Sequence, residues 1–335
     1  MNQRLSRFHR VGAAAHAVAL SGDGELLLIG TEQGLRLVDR QGHTRYRLGQ
    51  HGAAFNAVAL SPKVDAGLAM ERAGRLFQLK FQPEAGDAPG GLMRVAATGI
   101  WEQRDDLYSL DFAPQAGEDG LIALGHHALG LTALDGRGQL LWRLGPREGL
   151  GTARRTWHAA ISPDGRTIYA TALNACAGTS GIGDPTGLDP RTEIMAIDAA
   201  VGKPTRDAKV DGRVTVLASL PEPLGVAAVT HRRSAGGPRC HLVAFAEGLS
   251  KLAWSLACPP DTTITAAASA ASQAVLIVGT NRGELLRVGA LTGRILGRYD
   301  LLYASTVLSV AVAESGEIAA GLANGQVAFL EGKRD

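Results

Sequence analysis

The chain has 335 residues, with 34 Lys and Arg against 32 Asp and Glu, a formal net charge of +2. So small an imbalance does not by itself imply a polyanion partner, and nucleic acid is not the expected one. Three cysteines, an odd number with no C-x-x-C pair, fit neither a disulfide framework nor a zinc knuckle.

In chain order, the first element is Arg4-Leu-Ser-Arg-Phe-His-Arg-Val-Gly12, a short basic strand with no obvious neighbour nearby in sequence. With Arg4, Arg7 and Arg10 ahead of VGAAAHAVAL it has the outline of a signal peptide, but His16 interrupts the apolar run. A cytoplasmic protein is therefore expected, and no apolar segment is long enough for membrane insertion. His16–Gly52 then gives four apolar runs, each closed by a Gly-containing turn. HAVALS alternates with period two, the mark of a strand. ELLLIG and LRLV are near-continuous apolar runs, as in strands covered on both faces. Thr44-Arg-Tyr-Arg-Leu48 is the fourth. One such sheet cannot bury both of its faces alone, so it must stack on copies of itself.

The copies recur to the last residue. The end of the first strand can be followed through Leu20, Leu60, Phe112, Ile161, Ala218, Ala268 and Val312, at intervals of 40, 52, 49, 57, 50 and 44 residues. Turn-forming pairs follow it at Ser61-Pro62, Ala113-Pro114 and Ser162-Pro163. The second strand often ends in Gly, as at Gly30, Gly125, Gly279 and Gly321, and the third runs into turns such as Asp39–Gly42, Asp135–Gly138 and Asp198–Gly202. Asp135, Asp164 and Asp198 are read as turn residues, because Asp bonds its own backbone in such turns. In Thr263–Gln273 (TITAAASAASQ) alanine favours helix, while the repeat register demands a strand; the register is followed.

The last copy, Leu308–Ala313, Glu317–Leu322 and Gln326–Glu331, has three strands, and Arg4–Gly12 resembles the fourth strands Thr44–Leu48 and Arg294–Tyr299. The expected fold is all-β: a seven-bladed β-propeller of four-stranded antiparallel blades, its ring closed by the N-terminal strand completing the last blade. It is expected as a single domain over 1–335, with blades near 14–52, 53–105, 106–155, 156–212, 213–262, 263–305, and 306–335 plus 3–12.

Two repeat families are resembled. Phe55-Asn-Ala-Val-Ala-Leu-Ser-Pro62 and His158-Ala-Ala-Ile-Ser-Pro-Asp-Gly165 resemble the opening of a WD40 repeat. That family usually carries an Asp in the turn after the second strand and a Trp late in the third; here Gln33, Asn281 or Asn324 stands in the turn, and no third strand ends in Trp. Ala133-Leu-Asp-Gly-Arg-Gly-Gln-Leu-Leu-Trp142 is similar to the repeat of quinoprotein-type propellers, with partial matches at Ile197-Asp198, Leu291–Gly293 and Leu252–Trp254. Quinoprotein dehydrogenases use a quinone, a calcium ion and often adjacent cysteines. No two cysteines are adjacent here and no acidic cluster forms a calcium cage. The resemblance therefore implies fold and not catalysis, and no cofactor is expected.

Trp142 and Trp254 are expected to pack between blades. Trp101 and Trp157 fall in connections from one blade to the next, on the face that also carries the turns between second and third strands. Three insertions mark that face: Asn174–Glu193 in blade four, His231–Arg239 in blade five, and Gly145–Trp157 leading into blade four. Long connections on one face of a rigid repeat are where recognition usually resides. The candidate partner-binding residues are Trp101 and Trp157 with the basic Arg147, Arg154, Arg155 and Arg191. Arg232, Arg233 and Arg239 join them, with the acidic Asp184 and Asp189.

Other motifs lack the pattern for chemistry. Gly178-Thr-Ser-Gly181-Ile-Gly183 is neither a nucleophile elbow nor a phosphate loop. His126-His127 are neighbours whose side chains diverge, and Cys176 has no marked base partner. The leading reading is a non-enzymatic protein–protein interaction scaffold or accessory subunit binding one or more proteins. The alternatives are an enzyme or small-ligand sensor at the central channel mouth, and polyanion binding through the Arg-bearing loops.

Overall fold

A computed structural model describes residues 5–49, 54–63, 65–83, 93–103, 107–113, 120–126, 130–145, 158–172, 191–234, 237–270, 272, 274–301 and 305–331. After β1 (Leu5–Arg10) come β2 (Ala15–Leu20), β3 (Leu26–Thr31), β4 (Gly34–Asp39) and β5 (Thr44–Leu48), then β6 (Phe55–Leu60), β7 (Ala66–Glu71), β8 (Arg75–Pro83) and β9 (Met93–Glu102). The next are β10 (Leu107–Ala113), β11 (Leu121–His126), β12 (Leu131–Asp135), β13 (Leu140–Leu144), β14 (His158–Ile161), β15 (Thr167–Ala172), β16 (Arg191–Asp198) and β17 (Pro204–Asp211). They are followed by β18 (Arg213–Ser219), β19 (Leu224–Ser234), β20 (Gly237–Ala246) and β21 (Leu252–Ala257). The last are β22 (Ile264–Ser269), β23 (Val275–Thr280), β24 (Glu284–Gly289), β25 (Ile295–Asp300), β26 (Val307–Val312), β27 (Ile318–Leu322) and β28 (Gln326–Leu330). These strands make seven four-stranded antiparallel sheets, the blades of a β-propeller. No helix among the described residues is long and apolar enough to cross a membrane.

By its contacts the chain divides into two units. One comprises 1–104, 265–290 and 294–335; the other comprises 105–264 with 291–293. In the first unit the expected closure is present. β1 pairs antiparallel with β28, from Leu5 opposite Leu330 to Arg10 opposite Gln326, and completes the last sheet. That sheet packs on the first through Val327, Phe329 and Ala319 against Val18, Leu27 and Ile29. The glycines that end second strands have a reason the sequence left open. A β-carbon on Gly321 would lie 2.5 Å from the Ala15 carbonyl oxygen, and one on Gly30 would lie 2.8 Å from that of Phe55. Both glycines let the first strand of the next sheet cross close by.

Three of the hairpins between first and second strands use one device, built on Ser21, Ser61 and Ser162. Ser21 Oγ donates to Asp23 at 2.6 Å and accepts the Leu26 N–H at 2.9 Å, and Ser162 does the same with Asp164 and Thr167. The expected turn role of Asp135 and Asp198 also holds. Asp135 Oδ1 accepts the N–H groups of Arg137 and Gln139, and Asp198 Oδ1 those of Ala200 and Val201. The alanine-rich segment forms β22, where Ile264 and Ala266 are buried and alternate with half-exposed neighbours. Period-two burial outweighs the helix preference of alanine there.

In the second unit, Trp142 packs as expected between sheets. Its ring covers Gly202 in the last turn of the next sheet, and its Nε1–H donates to the Ala199 carbonyl at 2.7 Å. Trp254 covers Gly293 in the same way. In the first unit, His9 sits over Gly42 and hydrogen-bonds the backbone of Arg40, so an imidazole takes the place of the indole.

Two expectations are corrected. Trp101 lies in β9, opposite Leu76, and not in a connection between blades. The alternating run Arg75–Pro83 offers a nine-residue edge, and β9 answers it along its full length. His231–Arg239 is likewise no loop: β19 and β20 reach 11 and 10 residues, and their ladder continues to Ser234 opposite Gly237.

Candidate interaction site

The long β19–β20 hairpin sets the geometry. Its register places Arg232 directly opposite Arg239, both exposed and on one face of the ladder. Like charges opposite one another across a ladder are destabilising. Asp211, at the end of β17, lies 3.7 Å from Arg232 and offsets part of this repulsion. Asp211 is also the cross-strand partner of Arg191 at the start of β16, so the backbone brings Arg191 to the same corner. With both members more than half exposed, the Arg232–Asp211 pair is worth little to stability.

Beside this corner a cavity of about 340 Å³ opens between β17 and the β19–β21 sheet. Lys209, Asp211, Arg232 and His241 supply its polar rim. Phe245, Val243 and Leu252 supply an apolar floor, and Leu252 is 54% exposed. An apolar floor under a mainly cationic rim suits a ligand with a carboxylate beside an apolar side chain.

A second cluster stands at the starts of the first strands of this unit. The rings of Tyr108 and His158 meet edge to face, with centroids 6.3 Å apart. Arg213 is paired in register with His231, whose Nε2 lies 2.9 Å from Thr215 Oγ1. Burial, and then the charge of Arg213, hold the pKa of His158 down to about 4. The same two causes lower that of His231. Both imidazoles are therefore neutral near pH 7, with the Arg213 guanidinium beside them.

Nearby, first strands are stitched by side chains: Asp111 accepts the Ile161 N–H at 2.7 Å, and Ser109 Oγ accepts that of Ala159 at 3.1 Å. Burial pushes the Asp111 carboxyl upward against the bonds it accepts from the Ile161 and Phe112 N–H groups. His126 is buried, with Nε2 2.8 Å from Thr132 Oγ1. Among the described residues no group of three or more His, Cys, Asp and Glu is placed to hold a metal ion.

Of the residues singled out from sequence, Arg191, Arg232 and Arg239 come together at the hairpin corner. Arg233 continues β19 opposite Pro238, and Trp101 belongs to the other unit. Arg147, Arg154, Arg155, Trp157, Asp184 and Asp189 lie outside the described residues, as do Cys176, His127, Gly178–Gly183 and most of Asn174–Glu193. Sequence reading missed the second cluster. Its signal lies in the aligned repeats, because the register position held by Ala17, Ala57, Ser109 and Ser309 in four sheets carries His158 in a fifth. No protein-family model matches the chain, and no curated protein is significantly similar to it.

Proposed function

We propose that this propeller is a non-enzymatic interaction scaffold or accessory subunit, working in the cytoplasm. Its docking surface is the β17–β20 corner, and its partner presents an acidic and apolar segment. The observation that carries this reading is the opposed pair Arg232 and Arg239, with Arg232 on the rim of a cavity that has an apolar floor and Asp211 3.7 Å from Arg232. Two guanidiniums set face to face gain from an anionic partner what they lose to each other when it is absent. The repeat signatures support kinship with WD40-like or quinoprotein-like propellers, and the failed cofactor motifs support a role without catalysis.

The test is affinity purification of the tagged full-length chain from native expression, compared with Arg232→Glu/Arg239→Glu, with partners identified by mass spectrometry. Partners held by wild type and lost by the charge reversal are expected. Recovery of the same partners by both would remove the corner from consideration. Retention on heparin that falls steeply with added salt would favour the polyanion reading instead.

A second reading, a small-ligand sensor or enzyme, rests on the Tyr108–His158–Arg213–His231 cluster. A neutral imidazole pair beside a guanidinium is suited to a small anion bearing a hydrogen-bond donor. Imidazole proton shifts of His158 and His231 on titration with inorganic phosphate would favour it, and flat titrations would set it aside.

A further inference from the structure

The cysteine count excludes a framework of structural disulfides, but the fold brings two of the three together. Cys240 lies in β20, and the β20–β21 ladder runs to His241 opposite Ala257. One step further, the Cys258 N–H donates to the Cys240 carbonyl at 2.9 Å, so the two cysteines face each other across adjacent strands. Residues so opposed have Cα atoms about 4.5–5.5 Å apart, inside the ~4.4–6.8 Å range a disulfide spans. Their thiols are hydrogen-bonded to each other, and the Ile264 N–H points at Cys240 Sγ from 3.4 Å. Both are free thiols here; Cys240 is buried and Cys258 is half-exposed, so a small oxidant has one sulfur to reach.

We propose that Cys240 and Cys258 are a redox-modification site, closing reversibly to a cross-strand disulfide with a low-mass disulfide as oxidant. This does not rest on the docking surface. The donors aimed at Cys240 favour its thiolate, the form that reacts; the Cys258 S–H and then the Ile264 N–H outdo the upward push of burial. Cys258, donating that proton, is pushed upward, first by the bond to Cys240. In the reaction, one protein thiolate attacks a sulfur of RSSR, the RS–SR bond breaks and RS⁻ leaves. The other protein thiolate then attacks the mixed disulfide, forms the Cys240–Cys258 bond and expels the second RS⁻. The two thiol protons end on the two RSH molecules, so the protein loses two electrons and RSSR gains them. The bond clamps the hairpin where the chain leaves β21 through the turn in which Thr262 N–H meets the Pro259 carbonyl. It is one residue from Arg239 and from His241.

Trypsin separates the three cysteines into residues 167–191, 240–251 and 252–282. Full-length protein is equilibrated with oxidised glutathione, quenched in acid, alkylated, digested and analysed by mass spectrometry. The expected product is 240–251 joined to 252–282, two hydrogens lighter than their sum. Alkylation of both falls by at least about tenfold and is restored by dithiothreitol. Cys258→Ser is expected to abolish the linked species while leaving the thermal melt of the reduced protein in place. Full alkylation of both peptides after oxidation, a persistent glutathione adduct on Cys258, or linkage through 167–191 would each overturn the proposal.

Discussion

Gly321 gives the sharpest test of how the last sheet meets the first. A β-carbon there would lie 2.5 Å from the Ala15 carbonyl oxygen, 2.7 Å from Ser309 Oγ and 3.0 Å from the Ala15 β-carbon. Two of those atoms belong to Ala15, whose strand is fixed in its ladder with β3, so relief requires one sheet to move against another. Alanine in a strand is otherwise better than glycine by about 0.5–1 kcal/mol, and overpacking costs about 1–3 kcal/mol. Gly321→Ala is therefore expected to destabilise by about 1–2 kcal/mol. At about 2.1 cal/mol/K per residue, a chain of this length has an unfolding entropy of about 0.7 kcal/mol/K, which turns that loss into a drop of about 1.5–3 °C. Gly99 in β9 is the control: it is exposed, and a β-carbon there meets nothing within 4 Å. Gly99→Ala is expected to gain about 0.5–1 kcal/mol, the opposite sign for the same chemical change. Thermal and urea unfolding of both variants, followed by circular dichroism, reads the difference. If Gly321→Ala melts with or above wild type, or both variants shift alike, the close passage of β2 across β27 is wrong.

Acidification is the next perturbation. His158 has a folded pKa of about 4 against an ordinary 6.5, so the folded state binds fewer protons than the unfolded. Its contribution is complete above about pH 6.5 and is lost as the pH falls toward 4. The urea midpoint of wild type should drop from pH 7 to pH 5, and His158→Gln should drop less, with His231 acting in the same direction; equal drops would refute the assignment. For Trp142, replacement by Phe keeps a ring over Gly202 but removes the bond to the Ala199 carbonyl. The expected cost is about 0.5–1.5 kcal/mol. Gly202→Ala should cost less in a Trp142→Ala background than in wild type, because the ring it collides with is gone; simple additivity in urea unfolding would count against the contact.

The fold was legible because its signals are local and repeated. Period-two apolar runs, Asp and Gly turns, and the unpaired strand at each end specify seven sheets and the β1–β28 pairing without any knowledge of tertiary contacts. The failures came where a residue's role depends on a neighbour distant in sequence. Gly321 reads as turn punctuation until Ala15 is seen beside it. His9 reads as one more residue of a basic strand until Gly42 is found beneath it. The inserted segment 231–239 reads as a loop because Gly and Pro sit at its tip, yet its arms keep the alternation that a ladder needs. The cysteine count, sound against a framework, says nothing of two residues 18 apart that the register sets face to face.

The departures from regularity are not scattered. The opposed arginines, the cavity beside them, the titratable residues at the starts of β14 and β18, and the paired thiols all lie within the unit 105–264. A sequence selected only to fold would gain by exchanging Arg239 for a residue without like charge to Arg232, and by placing a small side chain where His158 stands, as Ala17 and Ala57 do at the same register position. The opposed arginines and the desolvated imidazole each oppose stability by a small amount, and each supplies a charge or a neutral ring that the regular repeat does not need. Function is therefore to be sought where the repeat is least faithful to itself, on a frame whose regular turns, close-crossing glycines and inter-sheet rings hold those groups in place.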